Sequence, residues 1–230
     1  MNKRKHSSGR IVFLLDVDNT LLDNDGVQAD LRRHLIGNVG RKRAKEYWRT
    51  FELLRAELGY ADYLGALQLY RAEYPRDPHL LPVSQFLIDY AFGERLFPGA
   101  LKVVERVGQW GLAVILSDGD VVFQPLKINR SGLADAVSGR VLVYVHKEQE
   151  LEDVEQRYPA EHYVIADDKL RILTAVKKFW QARVTTVFVR QGQYAADPKI
   201  LARYPAADIS VTRIGDLLKY KTPQFLEPKK

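Results

Sequence analysis

The chain has 230 residues, of which 46% are hydrophobic and 28% are charged, and it contains no cysteine. This length suits one large domain or two small ones, with a core that needs no disulfide bonds. The absence of cysteine excludes disulfides, cysteine-ligated zinc and thiol nucleophiles. The sequence also lacks an apolar run of about 20 residues, the length that spans a membrane.

The net charge of +6 at pH 7 is concentrated at the two ends of the chain. Residues 1–10 carry a net charge of +4 and residues 221–230 a net charge of +2, so residues 11–220 hold 28 basic and 28 acidic side chains. We therefore predict basic flexible tails at 1–9 and 222–230. Nucleic acid is disfavoured as a partner, because it needs a clustered basic surface. A tail that contacts RNA or an acidic partner remains an alternative.

The first apolar run of the chain is too short for a secretory signal. Ile11–Leu15 has five residues and is followed by Asp16, whereas a signal peptide needs an apolar region of roughly 7–15 residues. Since a membrane-spanning run is also missing, we expect a cytoplasmic protein without a membrane partner.

Short apolar runs alternate with helical patterns along most of the chain. Runs rich in Val, Ile and Leu predict buried strands at Ile11–Leu15, 112–116, 141–145, 163–166 and 184–189. Helical patterns occupy 99–109, 121–130, 148–158 and 169–181, and an apolar patch at 209–211 and a helix at 214–220 follow. Unbroken apolar strands are typical of a parallel sheet covered on both faces. The alternation predicts an α/β fold with a doubly wound parallel sheet.

The segment 24–96 interrupts this alternation with helical patterns and no strand. Aromatic residues such as Tyr47, Trp48 and Phe51 recur there at helical spacing, which predicts that they pack in a core. Phe97-Pro98-Gly99 marks the return to the alternating part, because proline and glycine punctuate elements. We therefore predict a helical domain at 24–96, inserted into an α/β core domain that consists of 10–23 and 97–221.

Polar side chains follow four of the predicted strands at the point where each strand ends. Asp16 and Asp18 follow the first strand, and Ser117-Asp118-Gly119 follows the second. Lys147 comes after the third strand and Asp167-Asp168 after the fourth. In a parallel sheet these ends share one edge, which is where open α/β sheets bind ligands.

These four groups, in this order, resemble the signatures of the haloacid dehalogenase superfamily, a large group of aspartate-nucleophile phosphohydrolases. The resemblance extends over about residues 11–220 and implies a Rossmannoid α/β core with a small, all-helical cap between the first two signatures, which matches 24–96. The four signatures are Asp16-Val17-Asp18-Asn19-Thr20, Val114-Ile115-Leu116-Ser117-Asp118-Gly119, Lys147, and Ala166-Asp167-Asp168.

The resemblance implies a Mg²⁺-dependent phosphatase that acts on a small phosphorylated metabolite. Asp16 would attack phosphorus and form an aspartyl-phosphate, and Asp18 would act as general acid and then as general base. The implied catalytic residues are Asp16, Asp18, Ser117 and Lys147. The implied substrate- and phosphate-binding residues are Asp18, Ser117, Asp118, Gly119 and Lys147. The implied metal ligands are Asp16, the backbone carbonyl of Asp18, Asp168 as a direct ligand, and Asp167 directly or through water.

Three residues leave alternatives open within this scheme. Arg171 stands where many relatives have a further acid, which leaves the ligand assignment within Asp167-Asp168 open. Lys127 competes with Lys147 for the role of catalytic lysine, and is otherwise expected at the surface. Thr20 either orients Asp18 or caps a helix.

Other reactions also remain as alternatives to the phosphatase. A 2-haloacid dehalogenase resembles this chain, but such enzymes generally lack an acid at the position of Asp18, whose presence favours phosphate chemistry. A phosphomutase, in which a substrate hydroxyl replaces water, is not distinguished by the sequence. A non-catalytic binding or regulatory protein that uses its basic tails is the further alternative. Neither the substrate nor the oligomeric state is indicated.

Overall fold

A computed structural model describes residues 11–227, so the predicted tail at 1–9 lies outside the described residues. The strands are β1 (Ile11–Leu15), β2 (Leu112–Asp118), β3 (Val141–Tyr144), β4 (His162–Asp167), β5 (Val184–Val189) and β6 (Ile209–Val211). They form one parallel sheet in the order β3-β2-β1-β4-β5-β6. All residues of β1 and β5 are buried, which explains the unbroken apolar sequence of β1 and the absence of charged residues from β5.

Helices connect and cover these strands. They are α1 (Asn24–Leu58), α2 (Tyr63–Glu73), α3 (Leu80–Asp89), α4 (Ala100–Gly108), α5 (Phe123–Arg130), α6 (Leu133–Ala136), α7 (Leu151–Arg157), α8 (Leu170–Trp180), α9 (Gly192–Ala196), α10 (Pro198–Leu201) and α11 (Thr222–Leu226). The last helix predicted before residue 221 is a 3₁₀ helix at Ile214–Lys219.

The side chains of β1 point alternately into two cores, one on each face of the sheet. Phe13 and Leu15 belong to the core that includes buried residues of α4 and α5. Val12 and Leu14 belong to the core that includes buried residues of α7 and α8. A parallel sheet with helices on both faces confirms the predicted α/β fold class.

The segment between β1 and α4 is helical, as predicted, and consists of α1, α2, α3 and a 3₁₀ turn at Phe92–Arg95. Tyr47, Trp48 and Phe51 are buried, and the rings of Phe51 and Tyr63 stack with centroids 4.9 Å apart. The chain leaves and returns side by side, since Leu22 forms an antiparallel bridge with Leu96. The division into two domains remains a prediction. Within residues 11–227, none of the helices is both long and apolar enough to cross a membrane.

The prediction of a basic flexible tail beginning at 222 is wrong for residues 222–227. This segment forms α11, and Phe225 is 1% exposed. The Phe225 ring meets Phe13 of β1 edge-on, with centroids 5.7 Å apart. The sequence does not reveal this contact, because the segment lies among lysines and a single buried aromatic residue produces no periodic pattern.

Candidate active site

The polar groups predicted at one sheet edge do meet there. Asp16 follows β1, Ser117 and Asp118 end β2, Lys147 follows β3, and Asp167 ends β4. Because β3, β2, β1 and β4 are consecutive in the sheet, their carboxyl ends converge on a cavity of about 590 Å³. Asp16, Asp18, Ser117 and Asp118 all line this cavity.

The structure places Lys147 beside the candidate nucleophile. Its Nζ lies 2.5 Å from Oδ1 of Asp16 and 2.7 Å from Oδ2 of Asp167, and it donates to the Leu116 carbonyl at 3.2 Å. The side chain is 1% exposed. Burial alone lowers the pKa of a lysine, but the charges of Asp16 and Asp167 outweigh it and raise the pKa of Lys147 well above its usual range. Lys147 therefore stays protonated and holds one oxygen of Asp16.

Asp16, Asp167 and Asp168 form a buried carboxylate cluster. One oxygen from each lies within 4.8 Å of the others. Oδ2 of Asp16 and both oxygens of Asp168 have no hydrogen-bond partner among residues 11–227. Burial raises the pKa of Asp168 well above its usual range against the opposing charge of Lys169, and repulsion from Asp167 raises it further. Buried, unpartnered carboxylate oxygens are the ligands that a hard divalent cation prefers, so the residues present fit a Mg²⁺ ion.

The side chain of Asp18 pairs with Lys127. Nζ of Lys127 lies 2.7 Å from Oδ1 and 2.9 Å from Oδ2 of Asp18, and it donates to Oδ1 of Asn24 at 3.1 Å. Lys127 is 1% exposed, so the expected surface role of Lys127 is wrong. Its helical spacing from Phe123 and Gln124, which are also buried, is the signal in the sequence that could have placed it inside.

Gln124 connects Asp18 to the end of β2. Its Nε2 donates to Oγ of Ser117 at 2.8 Å and to Oδ2 of Asp18 at 3.4 Å. Gly119 permits this contact, because a Cβ at position 119 would lie 2.7 Å from Cβ of Gln124. The backbone N–H of Gly119 donates to the Tyr144 carbonyl at 2.9 Å, so it is already used within the sheet.

Asp118 and Thr20, which the sequence also indicated as site residues, differ in their hydrogen bonds. Oδ1 of Asp118 accepts a hydrogen bond from the backbone N–H of Lys147 at 2.7 Å and so orders the loop that carries this lysine. Burial raises the pKa of Asp118, although Lys147 opposes the shift. Oγ1 of Thr20 is buried without a hydrogen-bond partner in the part of the chain that the structure describes. Thr20 therefore does not orient Asp18 by a direct hydrogen bond.

This architecture has a close counterpart among solved structures. A crystal structure described as a haloacid dehalogenase-like hydrolase, from Burkholderia xenovorans LB400, is 61% identical over 92% of this chain and 99% of its own, with a TM-score of 0.88. The chain belongs to the haloacid dehalogenase-like hydrolases. The resemblance drawn from the four signatures is thereby confirmed at the level of the family.

More distant members of this family share the fold. The HAD-hydrolase YfnB from Bacillus subtilis, solved with bound magnesium, is 18% identical with a TM-score of 0.59, over 91% of this chain and 97% of its own. The L-2-haloacid dehalogenase from Xanthobacter autotrophicus is 19% identical with a TM-score of 0.58, over 90% of this chain and 96% of its own. No protein-family model and no curated protein matches the chain.

Residues of α1 and α9 also line the cavity. Arg55 near the end of α1 pairs with Glu52 at 2.7 Å, and its guanidinium lies 6.0 Å from the ring of Tyr194. Nζ of Lys169 lies 6.0 Å from the same ring. Arg171, which stands where many relatives have an acid, lines the cavity and pairs with Glu148. The sequence did not single out Arg55 or Lys169, because their place at the cavity depends on packing between distant segments.

Proposed function

We propose that this hydrolase is a Mg²⁺-dependent phosphatase that cleaves a small phosphorylated metabolite, with Asp16 as nucleophile. The observation that carries the proposal is the side chain of Asp168. Both of its oxygens are buried without a hydrogen-bond partner in residues 11–227, as is Oδ2 of Asp16, and one carboxylate oxygen of Asp168 lies within 4.8 Å of one from Asp16. Leaving carboxylates unpaired in a protein interior costs several kcal/mol per ion. A divalent cation removes that cost.

The charge balance of the site supports the same conclusion. The side chains at the carboxyl ends of the four strands, together with Lys127, comprise five carboxylates and three ammonium groups, a difference of two negative charges. They are Asp16, Asp18, Asp118, Asp167 and Asp168, and Lys127, Lys147 and Lys169. This excess repels a phosphate dianion, and one bound divalent cation offsets it. Bound there, Mg²⁺ would also spread the charge of the transferring phosphoryl group.

The side chains supply the covalent chemistry. Lys147 holds the Asp16 carboxylate through Oδ1. One oxygen of Asp16 would bind the cation, and the other would attack phosphorus. As the new bond from Asp16 forms, the bond from phosphorus to the leaving oxygen breaks, and protonated Asp18 gives its proton to that oxygen. Ser117 Oγ, at the cavity wall, donates a hydrogen bond to a phosphoryl oxygen. Asp18 then takes a proton from the water that attacks the aspartyl-phosphate, which regenerates Asp16.

A dehalogenase would use the same pair of Asp16 and Lys147, with attack at carbon instead of phosphorus. The solved L-2-haloacid dehalogenase shares only the fold at 19% identity. The cluster around Asp168 has no use in that reaction, because expulsion of a halide from a monoanionic substrate needs no divalent cation. We therefore rank the dehalogenase second and test both reactions together.

The deciding experiment measures phosphate release from a panel of phosphomonoesters and chloride release from 2-chloropropionate, each with Mg²⁺ and after treatment with EDTA. We expect phosphate release that requires Mg²⁺ and is abolished in Asp16→Asn. Isothermal titration should show Mg²⁺ binding that is lost in Asp168→Asn and kept in Asp135→Asn, an exposed control on α6. Chloride release without phosphate release, or full phosphatase turnover by Asp16→Asn, would contradict the proposal.

A further inference from the structure

Lys127 lies outside the four signatures and yet binds one of their residues. Its ammonium group donates to Oδ1 of Asp18 at 2.7 Å, to Oδ2 of Asp18 at 2.9 Å and to Oδ1 of Asn24 at 3.1 Å. Lys127 is 1% exposed and is not among the residues that line the cavity, so any role of Lys127 in the reaction passes through Asp18.

The surroundings of Lys127 make a purely stabilising role a poor explanation. The side chain is 1% exposed, and its Nζ lies 5.9 Å from the ring of Tyr63 and 5.8 Å from that of Phe123. Removal of an ammonium group from water costs several kcal/mol, and well-packed apolar residues often replace a buried ion pair without loss of stability. Stability alone therefore does not explain the buried ion pair between Lys127 and Asp18.

The geometry fixes one side of the Asp18 carboxylate and leaves the other side open. Lys127 and Gln124 approach Asp18 from α5, where they are three positions apart and so lie on the same face of the helix. The side chain of Asp18 nevertheless remains 21% exposed and lines the cavity together with Asp16. A carboxylate held in this way cannot rotate freely, and its exposed part lies at the cavity that also contains Asp16.

We propose that Lys127 is the positioning residue of Asp18: it holds the Asp18 carboxylate in the orientation that proton transfer to the leaving oxygen requires. The inference rests on the proposed phosphatase function. Asp18 takes its proton from the medium. In the step itself the O–H bond of Asp18 breaks, the proton goes to the leaving oxygen, and the electron pair of the broken bond to phosphorus stays on that oxygen. Lys127 changes no bond and acts by holding Asp18.

The test compares leaving groups that differ in their need for a proton. The leaving group of p-nitrophenyl phosphate departs as a stable phenolate, whereas that of n-propyl phosphate must be protonated. General acid catalysis contributes roughly 10²–10⁴-fold. In Lys127→Met we therefore expect kcat/KM for n-propyl phosphate to fall about 100-fold or more, and that for p-nitrophenyl phosphate less than about 10-fold. The exposed Lys102→Met on α4 is the matched control and should change neither value.

A double-mutant cycle shows whether the effect passes through Asp18. In an Asp18→Asn background, Lys127→Met should no longer change the ratio of the two kcat/KM values. If Lys127→Met fails to fold, Lys127→Gln keeps a donor without the charge and serves in the same cycle. An equal loss on both substrates, a gain on n-propyl phosphate, or a selective loss that persists without Asp18 would overturn the inference. If the wild type cleaves neither ester nor any other phosphomonoester, the proposed function itself fails.

Discussion

Two buried lysines divide most of the acidic residues of the site between them. Lys147 pairs with Asp16 and Asp167, and Lys127 pairs with Asp18. Asp168 has no hydrogen-bond partner in the described chain, although the charge of Lys169 acts on it. The proposed nucleophile, Asp16, and the proposed acid/base residue, Asp18, are thus held by different lysines.

Asp77 gives a residue-scale prediction that concerns stability rather than catalysis. Its buried carboxylate accepts hydrogen bonds from the Tyr70 hydroxyl at 2.7 Å and the His79 backbone at 2.9 Å, and pairs with Arg43 at 2.8 Å. Burial alone would raise its pKa, but these partners outweigh burial and lower the pKa of Asp77 to about 2, from a usual value of 3.8. The ionised form therefore stabilises the fold by about 2 kcal/mol above pH 4.

The sign of the pH dependence follows from this lowered pKa. Because the unfolded chain takes up the proton first, the contribution of Asp77 is complete above pH 4 and is lost as the pH falls through about 2. In urea unfolding, Asp77→Asn should have a lower free energy of unfolding than wild type at pH 6. This difference in free energy, the gap between the two proteins, should become smaller between pH 4 and pH 2. The exposed Asp135→Asn should show no such gap. A gap that stays constant with pH would exclude the ionisation of Asp77 as its cause.

At the scale of elements, the sequence predicts where helices and strands lie better than which face they bury. The strands are predictable because burial on both faces favours runs rich in apolar residues, of which β1 is unbroken. The helix over 121–130 is also predictable and corresponds to α5. The burial of Lys127 on the inner face of α5 is not predictable, since a charged side chain is expected in solvent unless its partner is known. That partner, Asp18, lies 109 residues away in the chain.

The end of α1 gives a prediction about the cavity. Gly59 terminates this helix in the left-handed region, with φ of 82°, and a Cβ there would lie 2.5 Å from Cε1 of His146. Because His146 lines the cavity next to Lys147, Gly59→Ala should displace the His146 ring. We expect a stability loss of about 1–2 kcal/mol from the backbone conformation, together with a raised KM for the phosphomonoester that the wild type cleaves.

Gly40 provides the matched control for this prediction. It forms the non-helical kink within α1, with φ of 78° and ψ of 163°, but a Cβ at position 40 would meet nothing within 4 Å. Gly40→Ala should therefore lose at least as much stability in thermal unfolding as Gly59→Ala, because that backbone region is essentially restricted to glycine, and should leave KM unchanged. If both variants raise KM alike, the contact between Gly59 and His146 does not shape the cavity.

At the scale of the whole molecule, the order of the strands decides what can be foreseen. The signatures lie on four consecutive strands, so a parallel sheet brings Asp16, Ser117, Lys147 and Asp167 to one edge whatever the details of packing. Strand order does not determine which residues form the rest of the cavity wall. Arg55 and Tyr194 approach each other because α1 and α9 pack together, and that contact between distant segments leaves no mark in local sequence patterns.

The last helix gives a whole-molecule prediction, because it joins the end of the described chain to the central strand. Phe225 packs edge-on against Phe13 of β1 and lies 5.9 Å from the ring of Trp110. Truncation of a buried phenylalanine to alanine usually costs about 3–5 kcal/mol. In urea unfolding, Phe225→Ala should lose about 3 kcal/mol, whereas Leu226→Ala, at a position 42% exposed, should lose less than about 1 kcal/mol. Equal, small losses would mean that residues 222–227 behave as the basic tail that their composition suggests.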